Sequence, residues 1–263
     1  MNKKSKNHPS LPENIKSRQL GNLKLLKEVT DILSHNNFDY SLIYGTALGA
    51  VRDNKIIEWD TDIDIVIKQE AYDFLLKNYP DRLLTNENSK EHFLTFPRFI
   101  ESRKKVDFKD PNSLYIDLFI AIPSTKQKIY KYNKSKLNVL RGLKAWTGVN
   151  YYFTKKILRT LSRIFVKGFL WTKKLSYKET YKQLHDNNPE VYALSTWPSK
   201  HSSELWIELN AFDNMKKVKF NDNEYYIINN IEQLFEKEYG SNWRTPIKTK
   251  GCHYYGFFET AND

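Results

Sequence analysis

From Glu58 to Ile67 the chain reads Glu-Trp-Asp-Thr-Asp-Ile-Asp-Ile-Val-Ile, and its first eight residues place an acidic side chain at every second position. Neighbouring side chains of a strand point to opposite faces. The spacing therefore predicts a strand over 58–67 with Glu58, Asp60, Asp62 and Asp64 on one face and Trp59, Ile63, Ile65 and Ile67 on the other. Carboxylates stacked at steps of about 6 to 7 Å repel one another unless a cation or solvent neutralises them. A solvated edge strand is the alternative, but Ile63, Ile65, Val66 and Ile67 read as a strand entering a core.

A second strand is expected over Leu114–Ile122. It sets Tyr115, Asp117 and Phe119 opposite Leu114, Ile116, Leu118 and Ile120, and Pro123 is expected to stop it. Asp62 and Asp64 share a face, and Asp117 from an adjacent strand would close a three-carboxylate cage. Such hard oxygen donors suit Mg²⁺ or Mn²⁺ better than zinc. An ion there would bind nucleotide phosphates and stabilise charge as a phosphoryl group is displaced. An EF-hand is excluded: counting from Asp60, position 6 is Ile65 instead of Gly and position 12 is Ala71 instead of Glu.

Upstream, Glu13 to about Asn36 reads as an amphipathic helix carrying Ile15, Leu23, Leu26, Val29 and Leu33. Tyr40–Tyr44 reads as a short strand running into Gly45-Thr46, with a helix over Ala47–Arg52. Gly lets the backbone approach a ligand, and a helix start offers unpaired N–H groups to an anion, so Gly45-Thr46 is a candidate phosphate turn. The Walker A pattern is excluded because Ala50 and Val51 follow Gly49, and neither HExxH nor GxSxG occurs. A helix over Gln69–Asn78, a strand near Phe93–Ile100, a hairpin around Asn221-Asp222-Asn223 and a helix over Ile231–Tyr239 complete the pattern. The order indicates an α/β (α+β) fold with a small mixed sheet, flanking helices and a basic helical insert. The expected organisation is a polar arm at 1–12, a catalytic core at 13–125, the insert at 126–190, and a part at 191–263 that completes the same domain.

The whole chain has a formal net charge of +11, but the excess is local. Residues 118–178 hold 15 Lys or Arg and no Asp or Glu, leaving 27 basic and 31 acidic residues elsewhere. Within this segment, Tyr151–Leu170 reads as a helix with Phe153, Ile157, Leu161, Ile164, Phe165 and Gly168 on one face and Lys156, Arg159, Arg163 and Lys167 on the other. It is either a solvated lid over the donor site or an interfacial helix on anionic lipid. Interleaved Trp146, Tyr151, Tyr152 and Trp171 raise nucleic-acid binding as a weaker reading, which leaves the carboxylates unexplained. The single cysteine, Cys252, forms no internal disulfide. The basic start is followed by no apolar run of signal-peptide length, and the longest uncharged stretch falls short of the ~20 residues of a membrane span. A cytoplasmic protein is expected, with a peripheral seat at the inner face of the membrane if the insert is interfacial.

The segment Tyr44-Gly45-Thr46-Ala47-Leu48-Gly49-Ala50-Val51-Arg52, followed by Ile57-Glu58-Trp59-Asp60-Thr61-Asp62-Ile63-Asp64-Ile65, resembles the LicD/fukutin family. That family is marked by a GTLLGAVR segment and then a WDDDIDI segment. Tyr115-Ile116-Asp117-Leu118-Phe119 is similar to its later IDIF strand. Tyr239-Gly240, Trp243, Pro246 and His253 are similar to its C-terminal element. The chain departs at Thr61, where Asp is usual, and at Ile247, where a second Pro is common.

The resemblance implies a nucleotidyltransferase-like fold and transfer of a phospho-alcohol, such as phosphocholine or ribitol phosphate, from a CDP-activated donor. The acceptor would be a hydroxyl of a cell-surface or lipid-linked glycan, and CMP would be released. It implies Asp62, Asp64 and Asp117 as catalytic and metal-binding residues, with Asp60 an additional ligand. Gly45, Thr46, Arg52 and Arg98 would serve the donor phosphates, and His253 would stand behind the site. Either Asp64 or Asp117 is the base. Transfer of NMP to a protein, small molecule or RNA is the catalytic alternative.

Overall fold

The computed structural model describes residues 11–107, 113–148, 156–169, 171–247, 253–255 and 259–261. Helix α1 (Leu11–His35) packs Leu25, Leu26, Val29 and Leu33 into the core at the repeat of an amphipathic helix. Asn36 and Asn37 end it, Asn37 adopting φ 57°. Strand β1 (Tyr40–Leu42), helix α2 (Tyr44–Asp53), strand β2 (Asp64–Lys68), helix α3 (Gln69–Asn78), strands β3 (Leu83–Leu84) and β4 (Arg98–Phe99), and strand β5 (Ile116–Ser124) follow. Then come helices α4 (Lys126–Lys134), α5 (Lys136–Gly148), α6 (Lys156–Lys167) and α7 (Tyr177–Leu184). Strands β6 (Val191–Leu194), β7 (Trp206–Glu208), β8 (Lys216–Phe220) and β9 (Asn223–Ile227) precede helix α8 (Ile231–Tyr239). A separate two-stranded pair, β10 (His253–Tyr255) and β11 (Glu259–Ala261), ends the described chain.

The fold is α+β. Nine strands form one mixed sheet in the order β3-β4-β5-β2-β1-β9-β8, with β6 on the far half of β5 and β7 beyond it. The β2/β5 and β1/β9 pairs are parallel and the others antiparallel. The central strands are buried on both faces, as their near-continuous apolar runs require: Ile65, Val66 and Ile67 on β2 and Leu118 and Ile120 on β5 are all 0% exposed.

Several expected boundaries move. The strand expected over 58–67 begins only at Asp64, because the carbonyls of Ile57, Glu58, Asp60 and Thr61 are taken by side chains of α1 instead of a neighbouring strand. The turn expected at Gly45-Thr46 lies inside α2, which starts at Tyr44 with φ 50°. The strand expected over 93–100 is reduced to Arg98–Phe99. Pro123 does not stop β5. Its nitrogen faces the side on which β2 has ended, at the Lys68–Ala121 pair, so no ladder bond is lost there. The hairpin around 221–223 and the final helix ending at Gly240 (φ 82°) stand where the sequence puts them.

Among the described residues, the expected insert contains four helices. Thr125 caps α4 by accepting from Lys128 N, and Ser176 caps α7 by accepting from Glu179 N. Tyr132 Oη lies 3.0 Å from Thr180 Oγ1, joining α4 to α7, and Ser124 Oγ donates to Leu184 O at 2.6 Å. The long helix expected over 151–170 is described from Lys156, and Tyr151, Tyr152 and Phe153 lie outside the described residues. Among the described residues no helix is long and apolar enough to cross a membrane.

Candidate active site

Three neighbouring strands build the site. Asp64 opens β2 and lies opposite Asp117 in the parallel ladder to β5, while Asp117 lies opposite Arg98 in the antiparallel ladder to β4. Residues paired in register project to the same face, so Asp64, Asp117 and Arg98 stand side by side. Asp62 precedes Asp64 by two residues. Carboxylate oxygens of Asp62, Asp64 and Asp117 all lie within 4.8 Å of one another.

The backbone beneath them is tied down. Asp64 N donates to Thr46 Oγ1 at 2.9 Å, Ile43 N donates to Asp64 O at 3.2 Å, and Asp117 N donates to Ile63 O at 2.9 Å. Ahead of β2, the chain from Ile57 to Thr61 turns instead of extending, and α1 supplies the hydrogen bonds it needs. Gln19 Nε2 donates to Ile57 O, Glu58 O and Asp60 O at 3.1, 3.2 and 2.8 Å. Arg18 Nε and Asn22 Nδ2 both donate to Thr61 O, at 2.6 and 3.2 Å. Arg18 also reaches Ser113 O at 2.7 Å, and Asn22 Oδ1 accepts from Tyr115 N at 3.2 Å. One buried polar turn of α1 thus holds both acidic segments, from which Asp62 and Asp117 rise.

The electrostatics are those of crowded, partly desolvated carboxylates. Burial first, then the charge of Asp62 and a hydrogen bond to it, raise Asp60 well above the usual carboxylate range. Burial, followed by the charges of Asp62, Asp117 and Asp60, does the same to Asp64. Burial pushes Asp117 up to about 6, against the opposing pull of Arg98. Arg98 Nε donates to Asp117 Oδ1 at 2.5 Å, with Nη2 3.4 Å from Oδ2, and the guanidinium carbon stands 3.8 Å from the Tyr115 ring centre. A cluster that resists full ionisation in the absence of further positive charge fits a hard divalent cation, which would relieve the repulsion.

Two tyrosines adjoin the carboxylates. Tyr44, at the start of α2, packs edge-on against Phe119, and its buried hydroxyl has no hydrogen-bond partner among the described residues. Burial and the charges of Glu238 and Asp64 hold that hydroxyl well above its ordinary pKa. Tyr239, at the end of α8, is raised by burial, then by Glu238, Asp64 and Asp60. The first turn of α2 has no side-chain cap and no acidic residue, and Gly45 faces Asp60 so closely that a Cβ there would sit 2.9 Å from Oδ2.

The candidates named from sequence thus fall into two groups. Asp60, Asp62, Asp64, Asp117, Gly45 and Thr46 come together, although Asp60 stands on the 57–61 turn and Gly45-Thr46 on a helix. Arg98 is 2% exposed and its guanidinium is paired with Asp117. Arg52 is engaged by its neighbour Asp53, with Nη2 2.7 Å from Oδ2. Glu58 is exposed. His253 lies on β10, and its side chain is outside the described residues. Sequence reasoning missed Arg18, Gln19, Asn22, Tyr44 and Tyr239 as site residues. The signal available for Arg18 and Asn22 was their place on the stripe of Leu26, Val29 and Leu33, where a core-facing helix should be apolar.

No curated protein matches this chain significantly. Residues 37–139 match the family model described as LicD/FKTN/FKRP, nucleotidyltransferase domain, a segment that contains α2, the Asp60–Asp64 turn and strand, Arg98 and Asp117. The acidic residues gathered beside the uncapped helix start lie within that matched segment, so over residues 37–139 the chain is similar to the LicD nucleotidyltransferase domain.

Proposed function

We propose that the protein transfers a phospho-alcohol from a CDP-activated donor to a hydroxyl of a glycan, cell-surface or lipid-linked, and releases CMP. The observation that carries this reading is the register pair Asp64–Asp117 with Asp62 beside it, facing the uncapped N-terminus of α2. Bound by Asp62, Asp64 and Asp117, Mg²⁺ or Mn²⁺ would supply positive charge to the phosphate oxygens. The first-turn N–H groups of α2 at Gly45 and Thr46 offer the donor phosphates a partial positive charge.

In the transfer, the acceptor oxygen bonds to the phosphorus that carries the alcohol, the bond from that phosphorus to the CMP oxygen breaks, and the hydroxyl proton passes to Asp64 or Asp117. Burial keeps both groups able to hold a proton near neutral pH more readily than a solvated carboxylate. Arg98 fixes the orientation of Asp117. The Tyr44 hydroxyl is buried close enough to Asp64 to feel its charge.

Incubation with CDP-choline, CDP-ribitol and CDP-glycerol in turn, each with Mg²⁺ and with CMP as readout, tests the reading. CMP from one donor, lost with EDTA and with Asp62→Asn, supports it. Pyrophosphate released from a nucleoside triphosphate, with every CDP-alcohol inert, would make the enzyme a nucleotidyl transferase.

A further inference from the structure

Helix α6 turns its apolar side away from the protein. Leu161, Ile164 and Phe165 are 59%, 63% and 58% exposed, and Trp171, just past the helix, is 73% exposed. On a helix of 3.6 residues per turn these three side chains fall within an arc of about 100°. The opposite side is the packed one: Val166 is buried, and Arg163 Nε donates to Thr147 O of α5 at 2.6 Å. An amphipathic helix of a water-soluble domain normally shows the reverse, with its apolar stripe on the core. A contiguous apolar surface left in water marks a contact with another phase or molecule.

The charge around this stripe identifies that contact. Lys167 flanks it, Lys173 and Lys174 follow Trp171, all three exposed, and residues 118–178 contain no Asp or Glu. Nucleic acid would use the charge and have no need of Leu161, Ile164 and Phe165. An apolar protein partner would use the stripe and have no need of 15 basic residues without one acid. An anionic lipid surface uses both, and Trp belongs at the boundary between headgroups and water.

We propose that α6 and Trp171 seat the protein on an anionic lipid surface, with Leu161, Ile164 and Phe165 entering the boundary of headgroups and acyl chains and Lys167, Lys173 and Lys174 meeting lipid phosphates. The proposal does not depend on the reaction assigned above, because it uses none of the carboxylates.

Flotation of the full chain with vesicles of phosphatidylcholine alone, and of phosphatidylcholine with phosphatidylglycerol, provides the test. The expected result is binding to the anionic vesicles at least about tenfold stronger than to the neutral ones. Ile164→Ser with Phe165→Ser should weaken it about tenfold or more, as should Lys167→Glu with Lys174→Glu, whose exposed positions leave folding intact. Circular dichroism of each variant verifies the fold. The chain failing to float with anionic vesicles, or floating equally well after both pairs of substitutions, overturns the proposal. So does a wild-type dimer in light scattering that Ile164→Ser with Phe165→Ser converts to monomer, since a second copy would then cover the stripe. RNA binding that the lysine pair abolishes and the apolar pair spares, without vesicle binding, also overturns it.

Discussion

Arg98 Nε meets Asp117 Oδ1 at 2.5 Å in a pair whose side chains are 3% and 6% exposed, so one member of the carboxylate trio is already bound to a cation of the protein itself. Asp117 lies opposite Asp64 on one side and opposite Arg98 on the other, which makes this residue the hinge between the acidic cluster and its internal counter-charge. Removing the cation should cost more than removing the acid. Arg98→Met leaves a buried carboxylate unpaired and is expected to destabilise the fold by about 3–5 kcal/mol, read from urea denaturation. Asp117→Asn keeps a hydrogen-bond acceptor for Arg98 and should cost clearly less. Equal losses would show that the pair does not govern stability here.

For Asp64 the two effects of substitution have opposite signs. Its carboxyl is raised well above the usual range by burial and by three neighbouring carboxylates, so replacing it with Asn relieves a repulsion. We expect Asp64→Asn to stabilise the metal-free protein by about 1 kcal/mol, a rise in Tm of about 2–4 °C for a chain of this size. In the proposed transfer, the same variant should lose activity by about 10³-fold or more. A calorimetric scan and CMP release measure the two effects on one preparation. A fall in Tm would contradict the repulsion argument.

The trio also predicts how the effect of Mg²⁺ depends on pH. Asp117 stands at about 6 in the fold against 3.8 for a solvated Asp, and Asp60 and Asp64 shift in the same direction. Between those values the native state binds more protons than the unfolded chain, so the contribution of these groups to stability declines as pH rises from about 4 through 6. A divalent cation competes with those protons and restores the balance only where the carboxyls ionise. The Tm increase on adding Mg²⁺ to EDTA-treated protein should therefore be small at pH about 5 and grow above pH about 6. An increase independent of pH would separate Mg²⁺ binding from this cluster.

How much of this could be read in the sequence depends on the range of the interactions. Asp62, Asp64 and Asp117 were legible because a period of two along each strand is a local property that survives in the fold. The extent of the first strand was not. Period two continues from Glu58, yet residues 57–61 turn because Gln19, Arg18 and Asn22, about 40 positions earlier, take the carbonyls of Ile57, Glu58, Asp60 and Thr61. Arg98 could be picked out in the sequence but its partner could not, since its ladder opposite Asp117 spans a connection with little regular structure. The amphipathic character of α6 was plain in the sequence. Which side of it meets α5 was not, because that depends on contacts such as Arg163 to Thr147.

The clamp from α1 can be tested without touching a carboxylate. Asn22 is 0% exposed, donates to Thr61 O and accepts from Tyr115 N, so it bridges the chain next to Asp62 and the chain next to Asp117. Asn22→Leu leaves the buried Tyr115 N–H without this acceptor, and the expected cost is about 1–3 kcal/mol. If the clamp positions the trio, Mg²⁺ affinity should fall as well, by about tenfold, as measured by titration calorimetry of protein that is still folded. Loss of stability with unchanged Mg²⁺ affinity would make Asn22 a structural residue only.

Two glycines of α2 separate a site effect from a packing effect on one helix. A Cβ on Gly45 would stand 2.9 Å from Asp60 Oδ2, the movable end of a side chain. A Cβ on Gly49 would stand 2.6 Å from Lys55 O, part of the backbone loop that leads into the acidic turn, and 3.2 Å from Ile57 Cγ1. In a helix interior Ala is otherwise favoured over Gly by about 0.5–1 kcal/mol, so Gly45→Ala should be near neutral in Tm. By displacing Asp60, and by adding bulk at the uncapped helix start, it should lower activity about tenfold or more. Gly49→Ala meets atoms that cannot move without shifting the loop, and overpacking of that kind costs about 1–3 kcal/mol. Denaturation and CMP release on the two variants should therefore diverge, Gly45→Ala losing turnover at nearly constant stability and Gly49→Ala losing stability first. If Gly45→Ala is fully active, Asp60 does not need its observed position for the reaction, and the site reduces to Asp62, Asp64 and Asp117.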